Sequence, residues 1–374
     1  MNKNMRKLVF VGAALLLAAA CNSGNQYSIK GTVTGDIESL VNGKAYLFNR
    51  DRNNPVKDTV DVVGGKFHFK GTVSTAEPYV ITIEGVPGSV QIFLENDNYT
   101  VAGADTAFSQ SVVTGGDAQK RMTDLGNRIQ AVADEYGMDA IMTRLRVMDL
   151  AQQERDSLLD VYIKYQDRCE ELKEAAVNEA PVSNFALYFL NNDFFTLPLD
   201  SVGGLLEAYH ALPEFESNRI LARLDTLYQK ELSLQPGNKC QDFTMNGPDG
   251  EPVTLSDIYR KNKVTMVDFW ASWCSPCRQF NPKLVEIYRK YHKDGLEILG
   301  VSLDMDKDSW LAAIESDKLT WPHVSDLKYW NSAAVSLFNV NFIPQNIFVD
   351  SEGTIVAHRL SEDEIPGFLE EYLK

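Results

Sequence analysis

Apolar and polar residues alternate along much of residues 26–115, a pattern typical of strands that bury one face. Turn-forming pairs such as Asn42-Gly43 and Gly64-Gly65 separate the alternating runs. The clearest runs are residues 28–33, 44–48 and 66–73. Short strands at this spacing predict an all-β, sandwich-like domain, with a small barrel as the other form.

The hydrophobic period changes after residue 116. In residues 117–234, apolar residues recur at spacings of three and four, as on one face of a helix. Prolines divide this part of the chain, because proline interrupts a helix. The predicted helices are residues 118–136, 150–179 and 216–233. We interpret this part as a helical connector that sets the distance between the β domain and the rest of the chain.

Residues 236–374 form the third part, which follows a boundary at Gln235-Pro236-Gly237-Asn238. Residues 241–245 and 249–256 are predicted to be two strands joined by a turn, and strands and helices then alternate. The predicted strands are residues 264–269, 296–303, 346–349 and 354–359, and the predicted helices are residues 274–292, 307–315, 333–338 and 363–372. This order predicts an α/β layered domain that ends in a hairpin and a helix.

Residues 1–21 have the features of a bacterial export signal. Three basic residues precede the apolar residues 8–20, and three alanines precede Cys21. We predict that cleavage leaves Cys21 with a lipid, which tethers the protein to the periplasmic side of a bacterial membrane. Leu17 lies one position too early for the usual lipoprotein cleavage sequence. Ordinary cleavage nearby and an uncleaved anchor are therefore the alternatives.

Length, charge and cysteine content narrow the possibilities further. A chain of 374 residues is long enough for two or three domains. A net charge of −16 argues against nucleic acid or anionic lipid as a partner of the folded body, because both attract basic surfaces. Of the five cysteines, Cys169 and Cys240 belong to no motif. We predict two free, mostly buried thiols there, and spacing alone does not exclude a bond between them.

The strongest chemical signal is the pair Cys274 and Cys277, which follows a predicted strand and precedes a helical pattern. Cys274 is therefore predicted at the first turn of a helix, where unpaired N–H groups and the helix dipole favour a thiolate. A thiolate attacks a disulfide to give a mixed disulfide, which a second cysteine then resolves. Arg278 stands where a haem-attachment sequence has histidine, and the last third of the chain lacks the second ligand pair of a structural zinc site.

Several segments of this third part resemble TlpA/ResA-type thioredoxin-like domains, which are exported, often membrane-tethered proteins that generally reduce disulfides. The segments are P-G-N-x-x-x-D-F-T (236–244), V-D-F-W-A-S-W-C-S-P-C-R (267–278), G-V-S-L-D (300–304), W-P-H-V-S-D-L (321–327) and F-I-P-Q-N-I-F-V-D-x-x-G (342–353). In the first part, G-T-V-x-G (31–35) and G-G-K-F-x-F-x-G (64–71) resemble an uncharacterised β domain found ahead of thioredoxin-like domains in exported lipoproteins.

The resemblance implies a role for each residue of the site. Cys274 corresponds to the nucleophile and Cys277 to the resolving cysteine. Asp268 corresponds to a buried acid, and burial at the end of a central strand would raise its pKa so that it accepts the proton of Cys277. Ile343-Pro344 corresponds to a cis-proline loop, whose preceding backbone is free to pair with a substrate strand.

Trp273 and Pro276 complete the expected substrate-binding residues. Phe280 departs from the family pattern, which often has glutamate three residues after the second cysteine. A second acid near the site is therefore not expected in this chain. We expect no cofactor and no metal at the site.

The sequence predicts an exported, tethered thiol-disulfide oxidoreductase that acts as a disulfide reductase. Its partners would be disulfide-containing exported proteins and a membrane thiol relay that donates electrons. One alternative is a thiol peroxidase of the same fold, which would need threonine or serine where Ala271 stands. The other is a ligand-binding lipoprotein that uses the thioredoxin domain as a scaffold, or holds copper(I) on its cysteine pair.

Overall fold

The structure, a computed structural model, describes residues 26–49, 57–147 and 149–374. The chain is divided into two compact units, the first ending at Asp225 and the second running from Thr226 to Lys374. The predicted signal sequence and Cys21 lie outside the described residues. None of the helices in the described ranges is long and apolar enough to cross a membrane.

Within the described residues, the first unit begins with eight strands and one short helix. They are β1 (Tyr27–Thr34), α1 (Glu38–Val41), β2 (Asn42–Asn49), β3 (Lys57–Val63), β4 (Lys66–Gly71), β5 (Glu77–Ile83), β6 (Val90–Leu94), β7 (Asn98–Ala104) and β8 (Val112–Thr114). The strands form a sheet in the order β6-β5-β2-β3-β4-β1-β7-β8. β1 pairs with β7 in parallel, and the other neighbours are antiparallel.

The connection between β6 and β7 determines the shape of this sheet. The two strands lie near opposite ends of the strand order, yet only residues 95–97 separate them in the chain, and both contribute to the apolar cluster that contains Ile29 and Phe69. A flat sheet would keep these strands far apart, so the sheet curls around the core. The all-β prediction is confirmed, and the strands form one curled sheet where the sequence pattern suggested a sandwich-like arrangement.

Glycines fix the geometry of the sheet at two places. Gly64 and Gly65 form the two-residue turn between β3 and β4, and their φ angles of 55° and 73° are rarely adopted by residues with a side chain. Gly31 on β1 lies opposite Phe67 on β4. A Cβ atom at position 31 would lie 2.0 to 2.4 Å from ring atoms of Phe67, so only glycine fits there.

Helices complete the first unit. They are α2 (Asp117–Glu135), α3 (Met138–Leu145), α4 (Gln152–Glu179), α5 (Asn184–Asp193) and α6 (Leu199–His210), followed by α7 (Arg219–Ser233), which contains the boundary between the units. Phe93 of β6 is buried in one cluster with Ala118, Leu125 and Phe185 from the helices, and its N–H donates to Gln119 Oε1 at 2.7 Å. The helices up to Asp225 thus pack on the sheet and belong to the same compact unit. From the sequence, these helices were predicted to form a connector that follows the β domain.

The second unit contains the alternating elements that the sequence predicted. They are β9 (Thr244–Asn246), β10 (Pro252–Thr254), α8 (Leu255–Tyr259), β11 (Val264–Trp270), α9 (Ser275–Tyr291), β12 (Leu296–Ser302), α10 (Lys307–Asp317), β13 (His323–Val324), α11 (Ala333–Leu337), β14 (Gln345–Asp350), β15 (Ile355–His358) and α12 (Ile365–Tyr372). The helix α8 replaces the end of the strand predicted at residues 249–256, because Leu255 and Tyr259 are both buried at helical spacing.

The main sheet of this unit has the order β13-β12-β11-β14-β15. β11, β12 and β13 run parallel to one another, β14 pairs antiparallel with β11, and β15 pairs antiparallel with β14. All seven residues of β11 are buried, as expected for a central strand covered on both faces. This is the predicted thioredoxin-like fold, and the carboxyl ends of β11 and β12 lead directly into the residues of the candidate site.

Candidate active site

Cys274 lies at the N-terminus of α9 and is its N-cap residue. The backbone N–H of Cys277 donates to the Cys274 sulfur across 3.2 Å, so the helix end directs a positive group at that atom. In this structure the two cysteines form a disulfide, and both are buried. After reduction the same N–H would stabilise a thiolate on Cys274, because thiolates are favoured at helix N-termini.

The Ile343–Pro344 peptide, between α11 and β14, is cis. The carbonyl oxygen of Ile343 lies 3.7 Å from the Cys274 sulfur, so this loop stands directly beside the disulfide. Pro344 also lines a pocket of about 300 Å³ together with Asp268, Phe280 and Phe342. The structure therefore brings the cysteines, the proline loop and the acid of β11 into one region.

Asp268 occupies the middle of the sheet, opposite Gly300 of β12 and Asn346 of β14. Its side chain is only 4% exposed, and this burial raises the pKa of Asp268 to about 7. Phe280, the residue that led us to expect no second acid, is buried on the same pocket. Asp268 and Phe280 thus line the same pocket.

Trp273 and Pro276 are exposed on either side of Cys274. The Trp273 side chain is 45% exposed, and its ring centroid lies 5.1 Å from that of Tyr329 and 6.4 Å from that of Trp330. These rings give the disulfide an apolar rim that the motif alone did not predict. Trp270, by contrast, is buried within the core.

Ser272, two residues before Cys274, is held from two sides by Asp304 and Arg278, for which the sequence analysis predicted no role at the site. Asp304 accepts hydrogen bonds from its N–H and its hydroxyl, and Arg278 donates to its carbonyl oxygen. Asp317 in turn pairs with Arg278 through two hydrogen bonds. Two sequence signals were present: Arg278 and Asp304 lie in segments that carry the family resemblance (267–278 and 300–304), and Asp304 stands at the carboxyl end of a parallel strand, next to the end of β11.

Behind the proline loop lies a buried ion pair between Arg359 and Glu231, with Nη2 and Oε1 2.9 Å apart. Arg359 also donates to the carbonyl oxygen of Asn339, whose side chain donates to the same Glu231 oxygen. The Arg359 guanidinium lies 5.7 Å from the centre of the Phe342 ring. These contacts fix the segment that precedes Ile343.

The remaining cysteines lie outside this site. Cys169 and Cys240 are unpaired and partly buried, so Cys169 is less buried than predicted. Burial, with Asp242 nearby, raises the pKa of Cys240 to about 12, which leaves it a thiol at neutral pH. In the parts of the chain that the structure describes, no group of three or more His, Cys, Asp or Glu side chains is placed to hold a metal ion.

Comparisons with known proteins show which sequences the chain is similar to. Residues 236–358 match the AhpC/TSA family, and residues 27–122 match a domain of unknown function, DUF4369. The thiol-disulfide oxidoreductase ResA of Geobacillus kaustophilus is 30% identical over 146 residues, which cover 38% of this chain and 81% of ResA. The thioredoxin-like protein YneN of Bacillus subtilis is 31% identical over 133 residues, or 35% of this chain and 74% of YneN.

Among solved structures, the thioredoxin domain of a thiol-disulfide oxidoreductase from Bacteroides vulgatus is 34% identical. The match covers 38% of this chain and all of that domain, with a TM-score of 0.35.

Proposed function

Because the chain belongs to the TlpA/ResA-type thioredoxin-like thiol-disulfide oxidoreductases, we propose that it is an exported disulfide reductase tethered to a membrane through Cys21. The observation that carries the reductase chemistry is the position of the Cys274 sulfur. It accepts a hydrogen bond from the N-terminal end of α9 and stands beside the Ile343 carbonyl, where an incoming disulfide would be attacked.

The reaction begins with the reduced protein. The Cys274 thiolate attacks one sulfur of a substrate disulfide, which forms a mixed disulfide and releases the other substrate sulfur as a thiolate that takes up a proton. Asp268 accepts the proton of the Cys277 thiol, and the resulting thiolate attacks the Cys274 sulfur. The mixed disulfide breaks as the Cys274–Cys277 bond forms, and the second substrate sulfur leaves as a thiolate that takes up a proton. The substrate thus leaves as a dithiol that carries the two electrons.

The residues around the sulfur would bind the substrate. An extended substrate segment would pair with the backbone at Ile343 and lie over Pro344, while Trp273 and Pro276 contact its side chains. Disulfide-containing exported proteins are the proposed substrates. A membrane thiol relay is the proposed donor, since each turnover leaves the cysteine pair oxidised.

The proposal is tested by the reduction of insulin disulfides with dithiothreitol as electron source. The variant Cys274→Ser should lose activity, because serine cannot form the mixed disulfide, whereas Cys240→Ser, which removes a cysteine of the same unit outside the site, should keep it. Full activity of Cys274→Ser would refute the assignment. A reduction potential of about −120 mV, similar to that of a strong oxidant, would instead refute the reductase direction.

The name of the matched AhpC/TSA family raises the thiol peroxidase as a second candidate. Ala271, three residues before Cys274, is fully buried and carries no hydroxyl group to orient a peroxide. We therefore favour the reductase. Peroxide consumption by the reduced protein, measured beside insulin reduction, distinguishes the two activities.

A further inference from the structure

We propose that Asp304 and Arg278 are positioning residues that hold Ser272 from opposite sides and set the reduction potential of the Cys274–Cys277 pair. The proposal rests on the disulfide chemistry assigned to this site, which it extends to two residues outside the Cys-x-x-Cys motif. It follows from the hydrogen bonds around Ser272, and from the charges of the groups that make them.

Asp304 is 1% exposed and lies two residues after the end of β12. Its Oδ1 accepts the Ser272 hydroxyl at 2.5 Å, and its Oδ2 accepts the Ser272 N–H at 3.0 Å and the Ser302 hydroxyl at 2.7 Å. The N–H of Asp304 donates back to the Ser302 oxygen at 3.0 Å. A buried carboxylate with three donors has a fixed position, and so does the serine that it holds.

Arg278 holds the other side of Ser272. Its Nη1 donates to the Ser272 carbonyl oxygen at 3.1 Å, while Nε and Nη2 form a two-bond pair with Asp317. Asn281 also donates to Asp317, at 2.7 Å, which anchors the pair on α9. The N–H, hydroxyl and carbonyl of Ser272 are thus all bonded to groups outside the loop.

This arrangement places two charged side chains on Ser272, in the segment that leads into the redox sulfur. The backbone N–H of Arg278 donates to the carbonyl of Cys274, and Asp304 is bonded to the residue two before it. A negative charge near a thiolate disfavours it, and a positive charge favours it, most strongly where water is excluded. The negative charge of Asp304 therefore favours the disulfide over the reduced form. The positive charge of Arg278 has the opposite effect and favours the reduced form, in which Cys274 is a thiolate.

The two residues should consequently have opposite effects on the exchange equilibrium with dithiothreitol. In this exchange the protein S–S bond breaks and one S–S bond forms in the reagent, which gives two electrons and two protons to the protein. We expect Asp304→Asn to shift this equilibrium about tenfold towards the reduced protein, which is about 30 mV. Arg278→Gln should shift it towards the disulfide. The thiolate absorbance of Cys274 should titrate at lower pH in the first variant and at higher pH in the second.

Asp306→Asn is the matched control, because Asp306 lies two residues from Asp304 but is exposed and bonds only within α10 through Ser309. It should leave the equilibrium unchanged. Shifts in the same direction for Asp304→Asn and Arg278→Gln, or no shift in either, would mean that these residues only stabilise the fold. If Asp304→Asn does not fold, the direction of the Arg278→Gln shift decides. If the reduction potential of the wild-type Cys274–Cys277 pair is that of an oxidant, the reductase proposal is refuted. The shifts of the variants relative to the wild type would still test the roles of Asp304 and Arg278.

Discussion

Asp268 shows at the scale of one residue how position changes chemistry. An exposed aspartate is ionised at neutral pH. Burial in the middle of β11 raises the pKa of Asp268 to about 7, so both protonation states are populated near neutral pH. A group with this property can accept a proton from Cys277 and return it in the next cycle.

The same burial should make the stability of the second unit depend on pH. The pKa of Asp268 is higher in the folded protein, about 7, than its ordinary value of 3.8, so the folded state binds more protons between these values. The contribution of Asp268 to the free energy of unfolding is therefore fully present below pH about 4. It is lost as the pH rises through about 7, and the loss amounts to about 4 kcal/mol. We expect Asp268→Asn to flatten this dependence and to be the more stable protein at pH about 8.5.

The measurement is urea unfolding of the oxidised protein, followed by tryptophan fluorescence at acidic and alkaline pH. Asp363→Asn, at an exposed carboxylate, serves as the control that should keep the wild-type pH dependence. If the free energies of unfolding of the wild type and of Asp268→Asn change by the same amount between acidic and alkaline pH, the pKa of Asp268 is not raised.

At the scale of elements, the ion pair of Glu231 and Arg359 connects α7 with the end of β15. Their side chains are 7% and 18% exposed, so the pair is largely removed from water. Replacement of one partner leaves the other charge buried without compensation, which is more costly than loss of an exposed pair. The segment before Ile343 depends on this pair, because Asn339 bonds to both partners.

We expect Arg359→Met to lower the free energy of unfolding of the second unit by about 3 to 5 kcal/mol. Lys283→Met, which breaks the exposed Lys283–Asp363 pair, is the matched control and should have little effect. Urea titrations followed by tryptophan fluorescence provide the comparison. Equal effects of the two substitutions would show that the Arg359 pair is not buried in solution.

The curled sheet offers a second prediction at this scale. Gly31→Ala places a methyl group where the Phe67 ring lies, and we expect it to destabilise the first unit by about 1 to 3 kcal/mol. Gly126→Ala, within α2 and with open space around the new methyl group, should instead stabilise it slightly. Thermal unfolding monitored by far-UV circular dichroism compares the two variants. A harmless Gly31→Ala would mean that the ring of Phe67 is free to move away.

These elements also show what the sequence could predict. The cysteines, Asp268 and the proline loop were identified because each lies in a short local pattern, and the strands of the second unit because long buried runs alternate with helical ones. α3, α5 and α6 were missed, since helices of 8, 10 and 12 residues contain only two or three turns of a periodic pattern. The bonds from Asp304 to Ser272 join residues 32 positions apart, and only the parallel pairing of β11 with β12 brings them together.

At the scale of the whole molecule, the two units differ in what can be observed. All five tryptophans lie in residues 226–374, so tryptophan fluorescence reports on the thioredoxin-like unit alone. Circular dichroism reports on both. Comparison of the two signals assigns each effect to its unit within the intact protein.

The attachment proposed for Cys21 also concerns the whole molecule. We expect Cys21→Ser to move the protein from the membrane fraction to the soluble fraction of expressing cells and to abolish incorporation of labelled fatty acid, because the substitution removes the thiol that the proposed lipid would modify. Cys169→Ser, at a cysteine without a proposed role, should leave both unchanged. Continued membrane association and labelling of Cys21→Ser would contradict a lipid on that residue.

The reactive sulfurs are only three positions apart in the chain. A disulfide restricts the unfolded chain less when the loop that it closes is shorter, and for a loop of four residues the entropy model gives about 2 kcal/mol, against about 5 kcal/mol for one hundred residues. Gain and loss of this bond therefore change the folding equilibrium only modestly. The protein can alternate between its oxidised and reduced states in every cycle and remain folded in both.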